Sequence, residues 1–272
     1  MFVTHHVRPL LITLVLVTFM LCGYSALAAG GSAPNPGPTA MSDMQTYRAM
    51  LTPDSAPASP VSGIEWSVFN HRGAGWFIFL WGLTAFMAGL QWPRRTWLRF
   101  VPPLMLLGLV EFLFLRNDPK TWPIGPVPFW ISFQDPAVFQ HRVFVVLIVV
   151  IAIIELLRAA DRLPPLLRQF AFPSLALLGG MYLFFHKHGG LQAQQAMQNM
   201  AGPAMTSGPA MQNMTASMDL VKHQHLWFSI FGFGLAVTRL LADIGLLKGR
   251  LGATLWPVFA MALGIYMTGY SE

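Results

Sequence analysis

The side chains of this chain best suited to chemistry are its imidazoles and thioethers. Its 272 residues include eight histidines and sixteen methionines but one cysteine, Cys22. Past residue 29 the histidines are His71, His141, His186, His188, His223 and His225. A neutral imidazole donates one ring-nitrogen lone pair to a metal while a hydrogen bond fixes the other nitrogen. The pairs His186-Lys187-His188 and His223-Gln224-His225 flank a stretch holding Met197, Met200, Met205, Met211, Met214 and Met218. Within it Ala-Met-Gln-Asn-Met occurs twice, at 196–200 and 210–214. A small, polar loop has no packing use for so many thioethers, whereas thioether sulfur suits Cu(I) and imidazole binds copper in both oxidation states. The expected metal ligands are therefore His71, His141, His186, His188, His223, His225, Met197, Met200, Met211 and Met214, with copper as the ion. Two plainer readings stand beside this one. Polar aromatics collect at membrane interfaces, and methionine is an adaptable filler in linkers and helical contacts.

The elements that must position these groups follow from composition. The chain is 54 % hydrophobic and 10 % charged, with a mean hydropathy of +0.53. A water-soluble domain carries about a quarter of its residues as charged side chains, so this chain's solvent is mostly lipid. Its net charge of +6 sits in short basic clusters between apolar runs, the pattern of membrane topology and not of a nucleic-acid-binding face. Apolar runs at 69–90, 100–115, 142–157, 169–185, 226–244 and 252–270 predict an all-α polytopic membrane helix bundle of about six transmembrane helices.

Residues 1–29 have a basic head, an apolar stretch and the end Ala26-Leu27-Ala28, which predicts a cleavable signal peptide, with an uncleaved first helix as the alternative. Residues 30–65 are rich in Pro, Ser, Gly and Ala and read as a disordered periplasmic tail. The membrane domain then covers 66–272, with a Met-rich periplasmic loop at 189–222. The tight connections carry Arg94, Arg95, Arg99, Arg158, Arg162, Arg168, Lys248 and Arg250. The excess of basic residues on cytoplasmic loops then places this chain in the inner membrane with both termini, and all six histidines, on the periplasmic side.

Carboxylates are few. Glu111 lies inside the second run and is expected either to orient an imidazole from behind or to pair with Arg116. Glu155 with Arg158 and Arg239 with Asp243 have the spacing of local ion pairs. No nucleophile elbow, phosphate loop or metalloprotease helix occurs, so no enzymatic activity is expected.

Asn70-His71-Arg72, Asp118-Pro119 through Trp122-Pro123-x-Gly125, Asp135-Pro136 leading into Gln140-His141-Arg142, His186-x-His188 and the His225-led span together resemble the membrane part of bacterial copper-resistance D (CopD/PcoD-type) proteins. The likeness covers most of residues 66–272, although the Met-rich loop lengthens the connection after His188. The resemblance implies an inner-membrane protein handling periplasmic copper, with His71, His141, His186 and His188 where that family keeps outer-face histidines. The expected function is copper binding for sequestration, delivery or uptake, with the bilayer and periplasmic copper carriers as partners and no role for nucleic acid. The alternative is a haem b electron carrier, since membrane helix bundles hold haem between facing histidines.

Overall fold

A backbone immersed in lipid must satisfy its own amides, and a long apolar run does so as an α-helix. The computed structural model describes residues 63–90, 96–184 and 209–271, all within the compact unit Ala56–Glu272. Among them are six α-helices: α1 (Gly63–Gly89), α2 (Val101–Leu115), α3 (Pro136–Ala159), α4 (Pro165–Phe184), α5 (Pro209–Asp243) and α6 (Gly249–Thr268). No strand occurs among the described residues. Four segments are long and apolar enough to cross a bilayer: Thr96–Leu115, Ala137–Ala159, Asp219–Asp243 and Gly249–Thr268. The described residues are thus all-α, with helices of the kind that cross membranes. The expected signal peptide, the expected tail up to residue 62, His186, His188, Met197 and Met200 lie outside the described residues, while the last three residues of the expected tail, 63–65, already belong to α1.

The helices form an up-and-down ring in chain order, α1 packing on α2, α2 on α3, and so on until α6 closes against α1. The closing pair is the most extensive and rests on close backbone approach. A Cβ on Gly264 would collide with the Phe79 amide nitrogen and lie 2.7 Å from the Gly75 carbonyl oxygen, and one on Gly82 would lie 2.8 Å from the Met261 nitrogen. Small residues at such crossings let transmembrane helices pack without a hydrophobic drive. Gly264→Ala is expected to cost about 1–3 kcal/mol, because the clash is with backbone that no rotamer change relieves; thermal unfolding in detergent measures it.

Trp81, Ala85, Leu106, Ala152, Phe172, Leu235, Trp256 and Ala260 fill the middle of the ring as one buried cluster. The outward surfaces carry exposed large apolar side chains such as Leu80, Leu104, Leu178 and Val258, as a lipid-facing surface requires. One expectation changes here. The stretch 189–222 was expected to be a loop, but α5 begins at Pro209, so the second Met repeat is helical. Proline is favoured in a first helical turn, and from Ala210 to Ile230 no glycine or proline interrupts the run.

Candidate metal centre

The odd-numbered helices each contribute a histidine to one end of the ring. His71 comes from the first half of α1, His141 from the second turn of α3 and His225 from α5. The His71 ring lies 5.6 Å from that of His225 and 6.3 Å from that of His141, centroid to centroid. His225 is buried, and His71 and His141 are half-buried. Three residues separated by 70 and 84 positions in the sequence thus meet inside the bundle.

Their hydrogen bonds orient two of the rings. His71 Nδ1 lies 2.9 Å from the Ser67 carbonyl oxygen and His225 Nδ1 lies 2.9 Å from the Val221 carbonyl oxygen. A carbonyl only accepts, so each Nδ1 donates and, in the neutral ring, Nε2 carries the lone pair. This is the tautomer that metal-ligating histidines adopt. Two imidazoles sharing an ion at about 2.0 Å per nitrogen have centroids about 5–5.5 Å apart at tetrahedral or trigonal angles. The observed pairs are slightly wider, and among the described residues no group of three or more His, Cys, Asp or Glu is already arranged to hold a metal ion. Ring rotation and a small inward shift would be needed to close them on one ion.

A residue that local pattern could not reveal completes the cluster. Tyr270, fully buried just beyond α6, stacks on His71 at 4.0 Å and lies edge-on to His225 at 6.0 Å. Phe228, also buried, sits 5.0 Å from His225. The chain after α6 is strapped down over these rings. Gln224 Nε2 donates to the Ser271 carbonyl (2.8 Å), the Ser271 amide donates back to Gln224 Oε1 (3.2 Å), and Arg72 Nε donates to the Tyr270 carbonyl (3.0 Å).

The neighbouring loop is built from the motif residues singled out in the sequence. Asp135 caps α3, accepting from the amides of Ala137 and Val138 at 2.8 and 3.3 Å. Asp118 accepts from the Lys120 amide at 2.8 Å, and burial holds its carboxyl above the ordinary carboxylate value. Arg142, next to His141 and buried, donates to the Trp122 carbonyl and to Ser132 Oγ. Its guanidinium lies 4.3 Å from the Phe129 ring centroid. His141 therefore faces the cluster while the following residue pins the loop.

Other expected site residues fall elsewhere. His223 is exposed and accepts from Trp227 Nε1 at 3.3 Å; it does not share the face of His225, because residues two apart on a helix point in nearly opposite directions. Met211 and Met214 belong to α5, the latter eleven residues before His225, a rise of about 16 Å along the helix. Glu111 is exposed on α2, outside the ring cluster. Its proposed partner Arg116 instead donates to Asn70 Oδ1 at 3.0 Å and lies over Trp66 and Phe69.

The opposite end of two of these helices, α3 and α5, carries a second polar group. The local pairs expected there are present, Glu155–Arg158 at 2.9 Å and Arg239–Asp243 at 3.0 Å. Cross-links at 2.9 Å (Arg158–Asp243) and 3.3 Å (Arg239–Glu155) join them into a four-membered network. Comparison of the chain with protein-family models, curated proteins and solved structures finds no match.

Proposed function

We propose that this chain is a copper-binding protein of a bacterial inner membrane that takes copper at its periplasmic end for sequestration, delivery or uptake. The observation that carries the reading is the convergence of His71, His141 and His225 from three helices, two of them with Nδ1 hydrogen-bonded to a backbone carbonyl. In this reading the inner imidazoles hold the ion. The Met-rich segment with His186, His188 and His223 collects Cu(I) from periplasmic carriers, and a signal peptide exports the amino terminus. The buried cluster between the two polar ends favours holding copper over conducting it in this conformation.

The test is metal analysis and an absorption spectrum of protein purified from copper-supplemented cells. About one tightly held copper per chain supports the reading. An intense Soret band with no copper overturns it in favour of haem b, whose two axial imidazoles need to face each other across the porphyrin. Gln224→Ala, which releases the strap over Tyr270, is expected to speed copper loss to a chelator about tenfold, in line with the 10–100-fold effects of groups that support a ligand. A stopped-flow chelation trace checks this.

A further inference from the structure

At the end of the ring opposite the imidazoles a cleft of about 650 Å³ opens between α1, α2, α3, α5 and α6. Its walls are made largely of small residues, including Ala85, Gly89, Ala242, Gly252 and Ala253, which leave the space open. Its charged lining is Arg99, Arg158, Arg239 and Lys248 against Glu155, Asp161 and Asp243, four cations to three carboxylates. The carboxylates are all engaged. Glu155 and Asp243 each lie within 3.3 Å of both Arg158 and Arg239, and Asp161 lies 2.8 Å from Arg99.

Positive valence is left over. Lys248 is exposed and makes no ion pair among the described residues. Arg239, with its side chain 7 % exposed, uses Nε and Nη2 on the two carboxylates. Arg239 also lines the cleft. The first turn of α6, at the mouth beside Lys248, contains no acidic residue and no side-chain cap, so its amides add to the same field.

We propose that this cleft binds a phosphate group, held at its mouth by Lys248 and Arg99 with Arg239 at its base. Basic pockets between transmembrane helices at a membrane surface take anionic lipid headgroups, and the cleft lies where the helices end, at headgroup level. An anionic phospholipid is therefore the expected source, with free phosphate supplying the same chemistry. The network beneath then does more than join α3 to α5: it neutralises the two carboxylates that would otherwise repel the anion.

The experiment is native mass spectrometry of the full chain in neutral detergent, titrated separately with phosphatidylglycerol, a diacylglycerol of the same acyl chains, and inorganic phosphate. Wild-type protein is expected to retain phosphatidylglycerol over diacylglycerol. The Lys248→Gln, Arg99→Gln double variant is expected to raise the apparent Kd for phosphatidylglycerol about tenfold or more, the loss of roughly 1 kcal/mol for each basic residue near the surface. Both side chains are exposed, and unchanged thermal unfolding without lipid shows that the variant is folded. Inorganic phosphate bound with the same sensitivity to the double variant supports the site with the free anion as its source. Equal retention of the two lipids, or phosphatidylglycerol binding that the double variant leaves unchanged, overturns the proposal. Copper is not part of the readout, so the result is independent of the imidazole end.

Discussion

If the imidazole cluster holds copper as proposed, His225→Leu is expected to abolish tight copper retention, while His223→Ala is expected to leave it within about threefold of wild type. The contrast follows from about half a turn of helix. His225 is buried against His71, Phe228 and Tyr270, whereas His223 is exposed and bonded to Trp227. Loss of a group that merely orients a ligand costs 10–100-fold in metal affinity, so removing a ligand itself is expected to weaken binding by at least about 100-fold. Leucine fills a similar volume and the lost hydrogen bond is local to the helix, so unfolding temperature should change little. Competition with a calibrated Cu(I) chelator measures the affinities. Equal losses in the two variants would place the ion on the outer His-x-His pair and the Met-rich segment, and would sink the buried centre. Conversely, deleting 191–208 should slow copper loading from a carrier while leaving the final content unchanged.

Arg239→Met is expected to be the most damaging single change at the other end. Its guanidinium is buried, bonded to Glu155 and Asp243, and stacked on Trp256 at 4.4 Å and Phe172 at 5.1 Å. Methionine keeps the apolar stem but leaves two carboxylates sharing Arg158 alone, and breaking a buried ion pair in this way costs about 3–5 kcal/mol. Adding Glu155→Gln to the same chain leaves Arg158 paired with Asp243, removes the uncompensated negative charge and is expected to recover at least half of the loss, because a balanced buried pair costs far less than an unpaired buried carboxylate. Thermal unfolding of the single and double variants in one detergent decides it. A double variant less stable than Arg239→Met would show that Glu155 holds the helices by hydrogen bonds that need no arginine.

Much of this was legible in one dimension. Too little charge to coat a water-facing surface, and apolar runs of helix length, pointed to helices of the kind that cross membranes; the six described α-helices overlap the six expected runs, starting six residues early in α1 and α3 (63 against 69, 136 against 142) and seventeen early in α5 (209 against 226), and four segments are long and apolar enough to span. Local ion-pair spacing found Glu155–Arg158 and Arg239–Asp243, since three and four residues bring side chains onto one helix face. Spacing could not say that His71, His141 and His225 meet while His223 turns away, nor that Glu111 faces outward and Arg116 binds Asn70. Tyr270 and Gln224 carried no signal at all: a tyrosine and a glutamine near helix ends are ordinary until the chain beyond α6 folds back across the ring. Those facts depend on which face of each helix turns inward, and that was decided by the closed ring and by the tight Gly75–Gly82–Gly264 seam between its first and last helices. Residues far apart in sequence share a site only once packing has chosen the rotation of every helix about its axis, and hydropathy, which specifies the medium, leaves that rotation open.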